Sequence, residues 1–389
     1  MLFSRTEALV TRTFKLIEQN EWSTRATHLD LQKRIDLVMR NTAEVVTPPE
    51  ISTLLETNLN PRAYWGFECS GLLHIGIGLV CSAKIKDMVN AGFKFTIFLA
   101  DWHSWINNKL GGDMENIRIC GEYLKQIFTA LGLTPDKVEF LWASDITDKV
   151  EYWEKVIRIA KSVSVKRTWR ALPVMGRETS MTDIETAWVF YPCMQAADIF
   201  EMNMDVACSG IDQRKAHMLA RDSAEKLKWR KPSCIHTPLL IGLQGPQITE
   251  KMFDENEELN VEISSKMSKS IPQSSILVHD SPEDIALKIK NAYCPPKLVK
   301  NNPILELTRL VIYPEKDQLE IPRPAKYGGP ETFESFKQLE GKYSEGKIHP
   351  LDLKNGVTEA LVEILRPVRE HFSKHPDTLE KMLKIEITR

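Results

Sequence analysis

The feature that most constrains the fold is an alternation of short apolar runs with helical patterns in the first half of the chain. The runs cover residues 63–67, 93–100 and 138–142, and apolar residues at helical spacing follow through Met88 and again from Ile117. Strands that alternate with helices predict a parallel α/β sheet. Ligands bind beyond the carboxyl ends of such strands, where residues 68–71 and Asp101 would fall.

A second, helical domain is predicted after about residue 270. Residues 281–284 (SPED) offer an N-cap, a proline at the first helical position and acids in the first turn, and an amphipathic stripe runs through residues 357–372. A chain of 389 residues is too long for one ordinary core. We therefore expect a helical N-terminal extension (residues 1–45), an α/β domain (46–262), a short linker (263–275) and a helical domain (276–389).

Composition narrows the class of protein but does not select a function. No apolar run approaches the roughly 18 residues of a membrane span, and the first 19 residues read as neither a signal nor a transit peptide. The seven cysteines form no CxxC pair and no spacing typical of zinc, so we expect reduced thiols in a cytoplasmic protein without a metal site. With a net charge of −2, any binding to nucleic acid must use local basic surface.

A lysine-serine segment, residues 266–270 (KMSKS), follows an acidic connector. Four of the first five residues from Asp254 are acidic, which predicts a mobile loop over residues 254–265. A mobile segment with two ammonium groups and flanking hydroxyls could close over a triphosphate. A solvated loop with incidental lysines explains the same composition.

A histidine, His74, follows the first predicted strand and opens a helix, where backbone N–H groups and the helix dipole favour phosphate. Gly76 and Gly78 would let a nucleotide approach the backbone closely. A packing or capping role for the histidine remains open.

Tyr191, Gln195 and Asp198 stand at i, i+4 and i+7, which places three polar groups on one face of a predicted helix. Such a face in a pocket can bind an amino acid through its ammonium group and a ring hydroxyl. Gln213 could reach the same pocket from a following turn. The alternative is a solvated polar face.

These segments, in this order, resemble the tyrosyl-tRNA synthetases of the archaeal and eukaryotic branch, over about residues 41–372. Residues 63–68 (AYWGFE) and His74-Ile75-Gly76 are similar to that family's first strand and HIGH signature, and KMSKS matches letter for letter. Residues 191–198 and 210–215 (GIDQRK) are similar to its amino-acid-binding helix and GxxQRK turn.

The resemblance implies a Rossmann-type catalytic domain, an α-helical anticodon-binding domain and a homodimer. It also implies a tyrosine–tRNA ligase that uses ATP with Mg²⁺ to activate L-tyrosine and then loads tRNA(Tyr). His74, Lys266 and Lys269 would serve as catalytic residues. Tyr64 and Asp198 would hold the tyrosine phenol, while Tyr191, Gln195 and Gln213 would hold its ammonium and carboxylate groups.

Further sites follow from the same resemblance. Tyrosine would also contact Glu68. The residues implied in binding ATP are Gly66, Gly71, His74, Gly76, Met267, Ser268 and Lys269. Those implied in binding tRNA are Arg214, Tyr327, His349 and Asp352.

Two departures and two rival functions stay open. Ile77 stands where the HIGH signature has its second histidine, and the connector over residues 244–265 is longer than the family pattern. A tryptophanyl-tRNA synthetase shares the fold and both signatures, and a catalytically silent relative would bind RNA or a partner only. At the tRNA positions, Tyr327 could pack at a turn and Asp352 could cap the final helix.

Overall fold

The computed structural model describes residues 30–176, 184–247, 256–269 and 271–385 of the chain. Residues 1–29 of the expected N-terminal extension lie outside the described residues. So do residue 270 of the lysine-serine segment, residues 248–255 of the connector and residues 386–389.

A six-stranded sheet forms the centre of the first domain. Strands β2 to β6 run parallel, while β1 pairs antiparallel with β6, in the order β1-β6-β5-β2-β3-β4. The three strands expected from apolar runs are β2, β3 and β4, each correct to within one residue at either end. The strands are β1 (Glu44–Val46), β2 (Arg62–Phe67), β3 (Lys94–Leu99), β4 (Glu139–Trp142), β5 (Val206–Gly210) and β6 (Ser233–Thr237).

The strand order reverses between β2 and β5. From β2 the chain proceeds outward to β3 and β4, then returns to add β5 and β6 on the other side. At such a switch point the loops that follow neighbouring strands diverge and leave a crevice. The topology therefore places a site beyond the carboxyl ends of β2 and β5.

Helices cover both faces of the sheet and connect its strands. The α-helices of this domain are α1 (Leu31–Met39), α2 (Pro48–Thr57), α3 (Ile75–Asn90), α4 (Asp101–Ile106), α5 (Met114–Ala130), α6 (Ser144–Thr147), α7 (Val150–Ser162), α8 (Val165–Trp169), α9 (Thr186–Glu201), α10 (Arg214–Leu227) and α11 (Glu257–Ser265).

The segment from residue 30 is built into the first domain. Buried Arg34 of α1 donates to the carbonyls of Ala91 at 2.8 Å and Leu55 at 2.9 Å. Buried Lys84 of α3 donates to the carbonyls of Leu37, Val38 and Arg40, and burial lowers the pKa of this lysine to about 8. The boundary expected at residue 45 falls inside β1, a strand of the central sheet.

The expected mobile loop over residues 254–265 is wrong for residues 257–265, which form helix α11. Asn256 is the N-cap, and its side chain accepts a hydrogen bond from the backbone N–H of Leu259 at 3.1 Å. Glu257 and Glu258 then lie in the first turn, where the helix dipole favours acids. The acidic residues of this stretch therefore start a helix.

The second domain is mostly helical, as predicted, but it also contains a small hairpin of β7 (Leu319–Ile321) and β8 (Glu331–Phe333). Ser281 caps its first helix and accepts from the N–H of Asp284, as the sequence predicts. The helices are α12 (Pro282–Asn291), α13 (Pro303–Leu307), α14 (Tyr313–Glu315), α15 (Phe336–Ser344), α16 (Pro350–Ile364), α17 (Arg366–Lys374) and α18 (Asp377–Lys384).

The two domains share one hydrophobic core. Helices α17 and α18 pack against α5, and the ring of Tyr123 stacks on that of Phe372 with centroids 5.7 Å apart. Lys86 of α3 pairs with Glu315 of the second domain at 2.7 Å. Six of the seven cysteine thiols are buried and all are free, and none of the described helices is long and apolar enough to cross a membrane.

Candidate active site

A cavity opens at the carboxyl ends of β2 and β5, where the strand order reverses. Segments that are far apart in the sequence meet in its wall, among them β2, the start of α3, α9 and the lysine-serine segment. Most of the residues selected from the sequence line it: Tyr64, Gly66, Glu68, Gly71, His74, Gly76, Tyr191, Gln195, Asp198, Gln213, Lys266, Met267 and Lys269.

One end of the cavity is built around the carboxylate of Asp198, which is only 2% exposed. The hydroxyl of Tyr152 donates to its Oδ1 at 2.9 Å, and Nε2 of His103 lies 3.1 Å from its Oδ2. Burial, and then the charge of Asp198, raises the pKa of both Tyr64 and Tyr152 well above the usual range. Both hydroxyls therefore stay protonated and able to donate.

Aromatic rings form a continuous part of the cavity wall near Asp198. Tyr64 meets Phe98 edge to face, Phe98 meets His103 and His103 meets Tyr191 in the same way, with centroids 5.1–6.2 Å apart. Such contacts favour fixed ring orientations. The polar groups on these rings are therefore held in place before any ligand binds.

The carboxylate of Glu68 marks a second polar position, at the end of β2. It accepts from the hydroxyl of Tyr191 at 2.7 Å and from the amide of Asn107 at 2.8 Å, and Lys109 lies 3.4 Å away. Burial, followed by the charge of Glu68, raises the pKa of Tyr191. One helix, α9, thus places Tyr191 beside Glu68 and presents Asp198 seven residues later on the same face, as the spacing predicts.

Two amides extend this face. Gln213 donates to the carbonyl of Val174 at 2.9 Å and receives a long hydrogen bond of 3.4 Å from Gln195. The carbonyl oxygen of Gln195 is buried and has no partner among the described side chains and backbone groups around it. A buried acceptor of this kind is costly to leave unpaired, so it offers a position for a ligand donor.

The lysines of the lysine-serine segment close the opposite end of the cavity. Lys266 pairs with Asp212 at 2.7 Å, and Lys269 donates to the backbone carbonyl of Ser70 and, at 3.1 Å, to its hydroxyl. Burial lowers the pKa of Lys269 to about 8. Ser268 belongs to this segment but does not line the cavity.

His74 occupies the N-cap position of α3 but makes no capping hydrogen bond with its side chain. Its ring lines the cavity, and its Nδ1 is buried without a partner in the described part of the chain. Burial, together with the nearby Lys269 and Lys266, lowers the pKa of His74 to about 3. The imidazole is therefore neutral in the ligand-free cavity, and in that state it can act on a phosphate as a hydrogen-bond donor.

The glycines around His74 have different roles. Gly71 has a φ of +117°, a left-handed conformation that favours glycine in the turn after β2. An added Cβ at Gly78 would lie 2.4 Å from Val278. The group that approaches Gly78 closely is therefore Val278, in the segment that follows the lysines, and not the nucleotide expected from the sequence.

Asp101 falls beyond the end of β3 as expected but is absent from the cavity wall. It is fully buried, and its Oδ1 accepts from the N–H groups of Trp102 and Ser144. This carboxylate therefore organises the connections after β3 and β4. The cavity residue of that segment is His103, two positions later.

Arg214 lies outside the cavity, at the start of α10. Its Nε donates to both oxygens of Glu44, at 2.8 and 3.0 Å. Glu44 also accepts from Nδ1 of buried His236, and that bond, with Arg214, lowers the pKa of Glu44 to about 2. His236 in turn lies 3.0 Å from His217, which lines the cavity. A polar chain thus connects Arg214 to the cavity wall.

The remaining residues selected for tRNA lie in the second domain. Tyr327 is 62% exposed in a short 3₁₀ helix, Ala325–Tyr327, and the ammonium of Lys326 lies 4.8 Å from its ring centre. It lies at a turn, as the alternative expects, but most of its ring is open to solvent. The cap of α16 is His349, whose ring accepts from the N–H of Leu351 at 3.1 Å, so Asp352 is in the first turn and is not the cap.

Several residues of the site have no usable signal in the sequence: His103 and Asp212 line the cavity, and Tyr152 and Asn107 contact residues that line it. Tyr152 reaches Asp198 from α7, and no periodicity relates the two helices. His103 and Asn107 follow β3 within six residues of Asp101, and the sequence pattern selects only Asp101 in that segment. Asp212 stands inside GIDQRK, and its pairing with Lys266 could have been inferred only from a spatial neighbour.

Comparisons with known proteins agree on one family. A family model described as tRNA synthetases class I (W and Y) matches residues 56–252 and 260–366. A curated tyrosine–tRNA ligase from Thermococcus kodakarensis is 45% identical over 378 residues, which cover 93% of this chain and all of that protein.

Solved structures give the same result. A tyrosyl-tRNA synthetase from Pyrococcus horikoshii, complexed with L-tyrosine, superposes with a TM-score of 0.83 at 41% identity and covers 92% of this chain and all of that one. A tryptophanyl-tRNA synthetase from Plasmodium falciparum reaches a TM-score of 0.65 at 18% identity, over 90% of this chain and 91% of that one. The second likeness concerns the fold alone.

Proposed function

Because the chain belongs to the tyrosine–tRNA ligases, a family of class I tRNA synthetases, we propose that its cavity binds tyrosine with the ring hydroxyl at Asp198. Tyr64 lines the same end and would share the hydroxyl. The ammonium and carboxylate groups would then lie toward Glu68, Tyr191, Gln195 and Gln213. The observation that supports this orientation most strongly is the buried carboxylate of Asp198, an acceptor for a phenol, at the closed aromatic end.

This orientation explains selectivity against phenylalanine. A site built to hydrogen-bond a substrate hydroxyl leaves buried polar groups unpaired when the analogue lacks that hydroxyl, which is worth roughly 10⁴–10⁵ in discrimination. The same argument separates tyrosine from tryptophan. The indole N–H has one donor, whereas a phenol hydroxyl can donate to Asp198 and accept from Tyr64 at the same time.

In the reaction, a tyrosine carboxylate oxygen attacks the α-phosphorus of ATP. The bond between the α-phosphorus and the oxygen that bridges to the β-phosphate breaks, and tyrosyl-adenylate and pyrophosphate form. A ribose hydroxyl at the 3′ end of tRNA(Tyr) then takes the acyl group and releases AMP. Catalysis of this kind rests on positioning and on stabilising charge. We assign the second task to Lys269, Lys266 and His74.

The triphosphate would lie between the start of α3 and the lysine-serine segment. Two ammonium groups and one neutral imidazole donor converge there. Gly66, Gly71 and Gly76 line the wall beside them, and Met267 and Ser268 position the lysines. Mg²⁺ would enter with ATP and offset the phosphate charge that the lysines leave.

For tRNA we propose that Arg214 contacts the acceptor end and that the second domain, residues 276–389, binds the anticodon. Arg214 is at the outer end of the polar chain that leads from the cavity, where the 3′ end of the tRNA would enter. Exposed Tyr327 offers a face for base stacking. Asp352, with His349 beside it, offers a carboxylate that can accept from a guanine.

A homodimer is also proposed, for a protein of the cytoplasm. Helices α7 and α8 and their neighbours expose several large apolar side chains, and a contiguous patch of such side chains marks an interaction site. Val150 and Val165 are 79% and 73% exposed. The others are Trp105, Ile157 and Phe190.

ATP–pyrophosphate exchange tests the proposed function directly. We expect exchange to depend on tyrosine and to be far weaker with phenylalanine or tryptophan. Exchange that prefers tryptophan would reassign the substrate. Binding of tRNA(Tyr) without any exchange would support a silent relative instead, which the complete set of cavity residues argues against.

A matched pair of variants assigns the activity to this cavity. Tyr64→Phe removes only a hydroxyl, from a side chain that lines the cavity with Asp198, and Tyr343→Phe removes a hydroxyl buried in the second domain. We expect the first to raise the KM for tyrosine and the second to leave it unchanged. Equal effects would place tyrosine elsewhere.

A further inference from the structure

Asp198 is supported from behind by two residues that carry no assigned role. Tyr152 of α7 and His103 of α4 are both fully or almost fully buried, and each approaches a different oxygen of the carboxylate. Neither residue belongs to the helix that carries Asp198. The orientation of this carboxylate therefore depends on contacts between three helices.

A buried carboxylate needs such support. Moving an ionised carboxyl group out of water costs several kcal/mol unless hydrogen bonds and a counter-charge replace the lost solvent. The Tyr152 hydroxyl supplies a donor to Oδ1, and the His103 imidazole supplies a second group next to Oδ2. Since a carboxylate has about four acceptor positions, both oxygens keep lone pairs for a further donor.

His103 is itself fixed by its neighbours. It lies between the rings of Phe98 and Tyr191, both of which it meets edge to face. Burial disfavours its charged form, but the carboxylates of Asp198, Glu68 and Asp101 outweigh burial and raise the pKa of His103. The tyrosines that face it, Tyr64, Tyr152 and Tyr191, all have raised pKa values and are neutral.

We propose that Tyr152 and His103 are positioning residues that hold Asp198 as a fixed acceptor for the substrate hydroxyl and so set the discrimination between tyrosine and phenylalanine. This inference rests on the proposed orientation of tyrosine in the cavity. Tyr152 sets the rotation of the carboxylate through Oδ1. His103, with Nε2 3.1 Å from Oδ2, faces the second oxygen and is a positive partner of the carboxylate below its raised pKa.

Loss of either supporting residue should weaken the activation of tyrosine more than that of phenylalanine. Without the hydroxyl of Tyr152, Oδ1 is free to accept from water or to rotate away from the substrate. Phenylalanine makes no hydrogen bond there, so its use should hardly change. The signature is therefore a fall in the ratio of kcat/KM for tyrosine to that for phenylalanine.

The experiment compares Tyr152→Phe, His103→Gln and the control Tyr343→Phe in ATP–pyrophosphate exchange with both amino acids. A hydrogen bond to a charged group, which Tyr152 makes to Asp198, corresponds to a loss of roughly tenfold to a hundredfold, and we expect the same order for the 3.1 Å contact of His103. We expect the tyrosine-to-phenylalanine ratio to fall by that factor in the first two, mainly through the KM for tyrosine. Tyr343→Phe, which loses a hydroxyl bonded to the carbonyl of Pro295, should keep the ratio of the unmodified chain.

The pH profile supplies a second readout for His103. In the unmodified chain the KM for tyrosine should rise as the pH passes upward through the raised pKa of His103, because the positive partner of Asp198 is then lost. Glutamine reaches a similar position with an amide donor that does not titrate, so His103→Gln should flatten this rise. Tyr152→Phe should keep it.

The outcomes distinguish a failure of the proposed function from a failure of the positioning role. If the unmodified chain activates no tyrosine, the proposed function fails. If it does, and both supporting variants fold, as judged by thermal unfolding, but keep the original ratio, only the positioning role is overturned. If His103→Gln does not fold, Tyr152→Phe alone decides: an unchanged ratio contradicts the proposal and a reduced ratio supports it.

Discussion

The two ends of the cavity differ in how they are prepared for a ligand. At the Asp198 end, the polar groups are buried and held by protein partners that a ligand would not displace, namely Tyr152 and His103. At the lysine end, Lys269 is bonded to Ser70 and Lys266 to Asp212. The Asp198 end can therefore bind a ligand without rearrangement. At the lysine end, both lysines must leave their protein partners before they can bind phosphate.

This difference matches the tasks proposed for the two ends. Discrimination between similar amino acids requires polar groups that do not adjust to the wrong ligand. Charge stabilisation of phosphates during adenylate formation uses cations that close over the substrate. Specificity and chemistry are therefore separated along one cavity, and four experiments test that separation.

The largest effect is expected from Asp198→Ala. Removing one member of a buried, paired set typically destabilises the fold by about 3–5 kcal/mol, so thermal unfolding must show that the variant is folded. The substrate hydroxyl then has no charged acceptor, and since such a match is worth roughly 10⁴ in a site built to hydrogen-bond a hydroxyl, we expect kcat/KM for tyrosine to fall by about that factor, with the affinity for ATP maintained. Steady-state exchange and ATP binding by calorimetry measure the two quantities, and a comparable loss of ATP affinity would contradict separate ends.

Lys269→Ala should show the opposite pattern. Loss of one preorganised group at the developing charge typically lowers kcat by roughly 10²–10³. The rate of adenylate formation in a single turnover should fall by this factor, and the Kd for tyrosine should stay the same. His74→Ala should behave in the same way. If tyrosine binding weakens as much as the rate falls, neither residue has the proposed role.

Tyr327→Ala should affect neither end of the cavity. Stacking of a base on an aromatic side chain is worth about 1–3 kcal/mol, so the KM for tRNA(Tyr) should rise while exchange without tRNA is unchanged. Lys326→Ala is a control for charge beside the same ring. An unchanged KM for tRNA in Tyr327→Ala would place anticodon binding elsewhere in the chain.

The smallest effect concerns pH. Lys269 has a pKa lowered to about 8, so in the free chain it is charged below that pH and loses its proton as the pH rises through it. Phosphate binding requires the charged form, so the affinity for ATP should decline above pH 8 by at most about tenfold per pH unit. The decline should be absent in Lys269→Ala, and its persistence there would assign it to another group.

The sequence predicted the parts of the site that depend on local pattern. Strands β2 to β4 are correct to within one residue because they read as continuous apolar runs, which are typical of strands covered on both faces; β2 and β3 are mostly buried, and β4, at the edge of the sheet, is half-buried. The shared face of Tyr191, Gln195 and Asp198 follows from helical periodicity alone. Residues 1–29 and 270 are outside the described residues, so the expectations for them stay predictions.

The parts that were missed depend on contacts between distant segments. Tyr152 and Asp198 are separated by 46 residues, and no single-sequence pattern pairs them. The space at Gly78 is filled by Val278, two hundred residues later, so a glycine that suggested a ligand proved to be a packing site. The helix at Glu257–Ser265 was missed because its N-cap, Asn256, was counted as part of a polar connector.

A crystal structure of this chain with L-tyrosine bound is the most direct test of the separation of ends. We expect the phenol oxygen to lie within about 2.6–3.2 Å of Asp198 and Tyr64 and the ammonium group to lie toward Glu68. Tyr152 and His103 should keep the positions they have without the ligand. Tyrosine bound in the reverse direction, with its ammonium group at Asp198, would contradict the account.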